Sequence, residues 1–190
     1  LHRDTKEFGK NIDYVTLDSI ISVTVKLHGT SAVVGKVLAQ NKLTFWEKIQ
    51  RFFGKCYPKT KFIPIAASRG VIKNPLRKLN GFDLWCDNAN RIVPHLYDLS
   101  NIGVLVYGEI VGYYPDGKLI QKGYDYKCAE NQYDFYIYRV VRVTSTGQKI
   151  ELDFYEITEM FESIAKIVPI RFEGKAIDLA HEFGCEPTTD

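Results

Sequence analysis

Residues 20–31 read Ile-Ile-Ser-Val-Thr-Val-Lys-Leu-His-Gly-Thr-Ser, and their pattern sets the architecture that we expect. Apolar and β-branched residues alternate over residues 20–27, which predicts a β-strand. Residues 28–30 predict a turn, and residues 31–38 predict a second strand. Together the two strands predict a hairpin that carries Lys26 just before its bend.

Beyond this hairpin, the chain is rich in strand patterns first and in helical patterns last. Thr44, with Glu47 three residues later, predicts a capping box at the start of a helix that ends before Gly54. The order of elements predicts an α+β fold of antiparallel sheets with packed helices, in a single domain over residues 1–190 with a helical insertion at 40–62. The other predicted strands cover residues 62–67, 104–111, 135–143 and 149–152, and the other predicted helices cover residues 88–99, 154–166 and 175–183.

The overall composition is ordinary for a soluble protein. Hydrophobic residues make up 45% of the chain and charged residues 25%, and the net charge of +2 does not by itself indicate nucleic-acid binding. The four cysteines are scattered without a C-x-x-C pair, which favours reduced thiols in a cytoplasmic protein over a zinc site. Two basic clusters suit either phosphate contacts or a solvated face, namely Lys48, Arg51, Lys55, Lys59 and Lys61, and Arg69, Lys73, Arg77 and Lys78.

Three residues beside predicted strands carry groups suited to chemistry. Lys26 lies next to a glycine turn, and partial burial with cationic neighbours activates a lysine nucleophile by lowering its pKa. Glu109 lies among apolar residues and two glycines, where a carboxylate needs a hydroxyl, a metal or a cation as partner. Arg69 ends a strand and can reach ribose or phosphate oxygens. Each also has an ordinary interpretation, as an exposed lysine, a solvated glutamate or a surface arginine.

The strand over residues 134–139 carries alternating aromatic side chains. Tyr136 and Tyr138 are predicted on one face and Phe135 and Ile137 on the other, because successive residues of a strand face opposite sides. One face can fill a core while the other offers a ring that stacks on a purine. Core packing on both faces is the ordinary alternative.

In their order and strand context, these residues resemble the motifs of the covalent nucleotidyltransferases, which include ATP-dependent DNA and RNA ligases and mRNA capping enzymes. Lys26-Leu27-His28-Gly29 resembles motif I, Ser68-Arg69 motif Ia, Tyr107–Gly112 motif III and Phe135–Tyr138 motif IIIa. DNA ligases and capping enzymes usually carry Asp where this chain has His28. The pattern K-x-H-G-T, together with Ile120-Gln121-Lys122, is similar to the RNA ligase 2 family of nick sealers and RNA-repair ligases.

The resemblance implies an ATP-grasp-like ligase domain that acts as an ATP-dependent RNA ligase. Lys26 would attack the α-phosphate of ATP and hold AMP as a lysyl-AMP, and His28 would act on the phosphate side. Mg²⁺ would neutralise developing charge. AMP would then pass to an RNA 5′-phosphate, and a 3′-hydroxyl would seal the strand, as at a nick in a duplex. The implied nucleotide-binding residues are Val25, Lys26, Arg69, Glu109 and Tyr138, with Arg69 and Glu109 on the ribose hydroxyls and Tyr138 stacked on adenine.

The resemblance is incomplete toward the C-terminal end. The family carries a motif IV glutamate that binds metal and a motif V lysine pair that grips phosphates, yet no lysine or arginine follows Lys175. Glu173-Gly174-Lys175 is the one candidate for motif IV, but its context predicts a turn into a helix. We therefore expect an adenylyltransferase domain truncated before motif IV, a fragment of impaired activity that binds adenine nucleotide weakly at best and cannot complete ligation. Its metal ligands stay unassigned.

Other functions stay open at the level of the sequence. The chain could be a DNA ligase or a capping-type nucleotidyltransferase, against which His28 weighs. It could also be a non-catalytic, ligase-like nucleic-acid-binding domain, as the missing motifs would allow. The insertion at 40–62, with its basic residues and Trp46, is predicted either to contact RNA or to cover the nucleotide site.

Overall fold

The computed structural model describes residue 10 and residues 14–73, 83–96 and 102–182. Arg77, Lys78 and Cys185, and the ends of two predicted helices at 97–99 and 183, lie outside these ranges. The strands are β1 (Ile20–Thr24), β2 (Thr30–Gln40), β3 (Thr60–Ala67), β4 (Gly103–Gly112), β5 (Tyr133–Val143), β6 (Lys149–Glu151), β7 (Lys166–Ile167) and β8 (Ile170–Lys175). The helices are α1 (Phe45–Phe52), α2 (Leu84–Ile92), α3 (Phe154–Phe161) and α4 (Ala176–Glu182), and a 3-10 helix covers Val93–Leu96.

Six of the strands form one sheet. Its order is β3-β2-β4-β5-β6 with antiparallel neighbours, and β7 lies parallel to β5 along the first half of that strand. β1 and β8 form a separate antiparallel pair. The predicted α+β architecture of antiparallel sheets with packed helices is confirmed.

The main hydrophobic core lies on one face of the six-stranded sheet. Alternate residues of β2, β4 and β5 point to this face, and α2, the 3-10 helix and α3 pack over them. Its fully buried members include Val34, Ile92, Val106, Phe135 and Phe161. The opposite face carries a smaller cluster around Val33 and Tyr107.

The predicted hairpin between residues 20–27 and 31–38 is wrong, although both segments contain strands. β1 pairs with β8 in the small sheet, whereas β2 pairs with β3 and β4 in the large one. The intervening chain crosses between the sheets, and the Val25 amide donates to the Pro169 carbonyl at 2.9 Å. The local pattern identified the strands correctly, but the partner of β1 lies about 150 residues away, as in the pairing of Ser22 with Glu173.

The segment Glu173-Gly174-Lys175 is extended, which corrects the predicted turn and helix start. It pairs with β1, and α4 begins only at Ala176, whose amide donates to the Ser19 carbonyl at 2.9 Å. Backbone pairing across the small sheet therefore outweighs the local preference for a turn.

Two further helices differ from their predicted boundaries. The helix predicted from residue 88 begins four residues earlier, because the side chain of Asp83 accepts hydrogen bonds from the amides of Trp85 and Cys86 and caps it. The helix predicted to reach residue 166 ends at Phe161, whose carbonyl accepts from both Ile164 and Ala165. The chain then turns back to form β7.

The helix α1 lies in the connection between β2 and β3. Its predicted capping box is confirmed: the Thr44 amide donates to Glu47 Oε2 at 2.7 Å, and the Glu47 amide donates to Thr44 Oγ1 at 3.3 Å. Each residue of α1 is exposed or half-buried, so the helix projects from the sheet. Across the described ranges, no helix combines the length and the apolar character needed to cross a membrane.

Candidate active site

Lys26 lies in the segment that crosses from β1 to β2, and its side chain is exposed. Gly29, at the end of this segment, donates its amide hydrogen to Glu109 Oε1 at 3.0 Å. A Cβ at Gly29 would come within 2.2 Å of the Ile110 carbonyl oxygen and 2.9 Å of Val111 Cγ1. Only a glycine lets this segment pack so closely against β4.

Glu109 is half-buried on β4, directly opposite Ser31 on β2. Burial raises the pKa of its carboxyl above the ordinary value, because the charged form loses hydration. The Gly29 amide and the Lys26 ammonium act in the opposite direction and lower that pKa. Glu109 is therefore a partly desolvated carboxylate. It interacts electrostatically with Lys26, which lies 83 residues earlier in the sequence.

Tyr138 occupies a bulge in β5. Tyr107 pairs with Arg139 and the adjacent Gly108 pairs with Ile137, so Tyr138 is the extra residue. Its hydroxyl lies 3.5 Å from Ser31 Oγ, and burial raises the pKa of its phenol. The charge of Glu109 contributes to the same rise in pKa, which is consistent with the two side chains sharing one region of the sheet face.

One part of the prediction for β5 is confirmed, namely that one face of this strand fills the core. Phe135 and Ile137 are buried in the main core, with exposures of 1% and 0%. Tyr138 packs instead with the smaller cluster on the opposite face. Tyr136, directly opposite Glu109, is half-buried, and the Lys166 ammonium lies 5.5 Å from the centre of its ring.

His28 is held by two tyrosines that sequence reasoning missed. Its amide donates to the Tyr126 hydroxyl at 2.7 Å, and its ring lies 4.9 Å from the ring of Tyr124. The two tyrosine rings are themselves stacked at 6.0 Å. Tyr124 and Tyr126 follow shortly after Ile120-Gln121-Lys122, the segment that resembles the RNA ligase 2 family. Two tyrosines spaced two residues apart were the only local pattern that could have indicated them.

Trp85 is a second residue that the sequence did not single out. Its indole nitrogen donates to the Ser31 carbonyl at 3.0 Å, so α2 fixes the backbone of β2 beside Glu109. The Lys73 ammonium lies 3.9 Å from the centre of the Trp85 ring, a cation–π distance. The hydrogen bond from Trp85 to Ser31 joins residues 54 positions apart, and no local pattern predicts it.

Arg69 and Val25 complete the predicted set. Arg69 is exposed two residues beyond β3, whose last residue Ala67 pairs with Val33. The end of β3, the start of β2 and the end of β4 therefore meet at one end of the sheet. Val25, next to Lys26 in the chain, is half-buried, and its amide donates a hydrogen bond to the Pro169 carbonyl.

The described ranges contain no metal site formed by protein side chains alone. They contain no group of three or more His, Cys, Asp or Glu side chains placed to hold an ion. Mg²⁺ commonly binds through one or two carboxylates together with substrate phosphates. Within the described ranges, the protein side chains therefore form no dedicated metal cage.

Comparisons of sequence and of structure both match this chain to RNA ligases. A family model described as RNA ligase matches residues 19–184. Solved structures of Naegleria gruberi RNA ligase variants have the same fold: one with ATP and Mn is 18% identical with a TM-score of 0.56, and one with AMP and Mn is 19% identical with a TM-score of 0.55. These alignments cover 89% and 87% of this chain but 40% of each solved chain. No curated protein matches the chain significantly.

Proposed function

Because the chain belongs to the RNA ligase family, we propose that it is the adenylyltransferase domain of an ATP-dependent RNA ligase, with Lys26 as the residue that takes AMP. The observation that supports this most is the hydrogen bond from Gly29 to Glu109. It joins the lysine segment to a half-buried carboxylate on the central strand. A covalent nucleotidyltransferase needs a nucleophile and nucleotide-binding groups held together in this way.

In the proposed first step, Lys26 Nζ forms a bond to the α-phosphorus of ATP. The bond from that phosphorus to the bridging oxygen of pyrophosphate breaks, pyrophosphate leaves, and the amine nitrogen releases a proton. The product is a lysyl-AMP. Attack needs the neutral amine, because the lone pair on nitrogen forms the new bond.

The nucleotide would be held by groups on β4 and β5 and on the segments that follow β1 and β3. Glu109 and Arg69 would bind the ribose hydroxyls, the first as a hydrogen-bond acceptor and the second as a donor. Tyr138 would stack on adenine, and the backbone at Val25 would line the same site. Glu109 is suited to this role because its burial strengthens hydrogen bonds from a bound hydroxyl.

His28 would act on the phosphate side, and AMP would then pass to an RNA 5′-phosphate for attack by a 3′-hydroxyl. The contacts from Tyr126 and Tyr124 support the first of these roles, because they fix the backbone and the ring of His28. Mg²⁺ would enter with the phosphates of ATP.

A pulse–chase experiment tests the proposed function. The protein is incubated with Mg²⁺ and ATP labelled either at the α-phosphate or at the γ-phosphate, then chased with nicked duplex RNA or nicked duplex DNA. We expect weak labelling, from the α-phosphate only, and transfer of the labelled AMP to the RNA 5′-phosphate. Lys26→Ala should abolish labelling, and Lys118→Ala, an exposed lysine paired with Asp116, is the matched control.

The outcomes separate the alternatives. Transfer to nicked DNA in preference to RNA would favour a DNA ligase, although the family match favours an RNA ligase. RNA binding without any labelling from ATP would favour the non-catalytic binding domain and contradict the proposal.

A further inference from the structure

The insertion around α1 lies far from Lys26. β2 begins at Thr30, beside the lysine segment, and ends at Gln40, which pairs with Thr60 of β3. Its ten residue steps correspond to roughly 33 Å at the usual rise of a strand. The insertion therefore lies at the opposite end of the sheet, and the prediction that it covers the nucleotide site is wrong.

A basic cleft of about 350 Å³ lies at the base of this insertion. Lys42, Arg51 and Lys59 line it together with Tyr57 and Pro58, and none of the described residues that line it is acidic. No ion pair joins any of these three cations to a carboxylate in the part of the chain that the structure describes. Three cations around one cleft, without an acid among them, are complementary to a polyanion.

The charge of the insertion contrasts with that of the whole chain. Residues 40–62 contain six lysine and arginine residues and one acid, a net charge of +5, whereas the whole chain carries +2. The acid is Glu47, which caps α1. The hydrogen bonds from Thr44 lower the pKa of its carboxyl most, and the charges of Lys61 and Lys55 lower it further. The positive charge of the molecule is thus concentrated in this segment.

The same insertion exposes four aromatic rings. Phe45, Trp46, Phe52 and Phe53 are between 71% and 86% exposed, and they form two edge-to-face pairs at 5.9 and 5.7 Å. Gln50, on the polar side of α1, contacts Tyr57 of the same insertion. The helix therefore turns its polar side toward its own connection and its aromatic side outward.

We propose that the insertion at 40–62 is a second RNA-docking surface, in which the cleft formed by Lys42, Arg51 and Lys59 binds the phosphate backbone and the exposed rings stack on unpaired bases. Proteins that bind single strands combine these two features, a positively charged groove and aromatic stacking platforms. The inference rests on the proposed function, because it takes RNA as the substrate.

The test measures binding of a single-stranded RNA whose 5′ and 3′ ends are both blocked, so that ligation chemistry cannot contribute. The variant Lys42→Gln/Arg51→Gln/Lys59→Gln is expected to bind at least roughly tenfold more weakly, and the slope of log affinity against log salt should fall by about two. The matched control removes three exposed cations elsewhere, Lys118→Gln/Lys149→Gln/Arg171→Gln, and should bind like the wild type.

A second readout reports on the aromatic rings. RNA should quench the fluorescence of Trp46, and Trp46→Phe should remove that signal while keeping most of the affinity. Replacing all four rings with serine should weaken binding at least roughly tenfold, since each stacked base contributes measurably. Because α1 lies outside the hydrophobic core, these variants are expected to keep the unfolding temperature of the wild type.

The chemistry and the docking are tested separately. Lys26→Ala should keep the affinity for blocked RNA, and the triple glutamine variant should keep labelling from ATP. If labelling fails while RNA binding depends on the insertion, the docking surface stands and the proposed chemistry falls. Unchanged RNA binding by the triple variant would overturn the inference. Tighter binding to phosphatidylserine vesicles than to RNA would overturn it as well, in favour of a membrane surface.

Discussion

At the scale of single residues, Glu109 links the lysine segment to the sheet. Its carboxylate accepts from Gly29, its pKa responds to Lys26, and its charge acts on Tyr138. The sequence could identify Glu109, because a carboxylate between apolar residues and glycines stands out. It could not identify Trp85, Tyr124 or Tyr126, because their roles arise from contacts made after folding.

We predict that Glu109→Gln raises the melting temperature at neutral pH while it lowers nucleotide binding. The folded-state pKa of Glu109 is raised, so ionisation costs the folded state stability as pH rises through that pKa. Glutamine can still accept the Gly29 hydrogen bond but carries no buried charge. Thermal unfolding at several pH values measures this: the gain should shrink below the ordinary glutamate pKa of 4.5. A gain that grows toward acid pH would contradict it.

We also predict slow alkylation of Cys128. Burial raises the pKa of its thiol to about 11, and the neighbouring Asp134 carboxylate adds to the rise as hydrogen-bond acceptor and as charge. The thiolate is the reactive form. Peptide mapping after iodoacetamide treatment at mildly alkaline pH should show exposed Cys56 modified well before Cys128. Asp134→Asn should accelerate alkylation of Cys128, because removing the carboxylate lowers the pKa of the thiol. Equal alkylation rates for Cys56 and Cys128, with no change in Asp134→Asn, would refute the prediction.

At the scale of elements, the chain uses the segment between β1 and β2 to connect two sheets rather than to close a hairpin. Strand positions were predictable, since alternation and β-branching are local. The pairing of β1 with β8 was not, because it depends on residues such as Gly174 at the other end of the chain. The extended state of Glu173-Gly174-Lys175 was missed for the same reason.

Gly29→Ala should displace the lysine segment from β4. The new Cβ would overlap the Ile110 carbonyl oxygen, and such overpacking typically destabilises by about 1–3 kcal/mol. Gly70→Ala is the matched control, because a Cβ there meets nothing within 4 Å. Chemical denaturation and ATP labelling measure the two effects. Normal stability and normal labelling in Gly29→Ala would show that the close approach has no role.

The two capping boxes should differ in their effect on global stability. Asp153→Ala removes the cap of α3, which buries Ile157 and Phe161, and should lower the free energy of unfolding by about 1 kcal/mol. Thr44→Ala removes the cap of α1, which lies outside the core. It should leave global unfolding unchanged and increase amide exchange only within the insertion. A comparable global loss in both variants would mean that α1 packs on the core.

At the scale of the whole molecule, one end of the six-stranded sheet carries the candidate active site and the other carries the basic insertion. The sequence predicted the fold class, and its motifs pointed to Lys26, Arg69, Glu109 and Tyr138 as candidate site residues. It could not predict the separation of the two surfaces, because this depends on the direction of β2 between them.

The central claim is that Lys26 is the nucleophile that takes AMP. The most direct measurement is the intact mass of the protein after incubation with ATP and Mg²⁺, followed by peptide mapping of the modified residue. We expect a single adenylyl group, located on Lys26, absent from Lys26→Ala and retained in Lys118→Ala. An adenylyl group on another residue, or equal modification of Lys26→Ala, would contradict the claim.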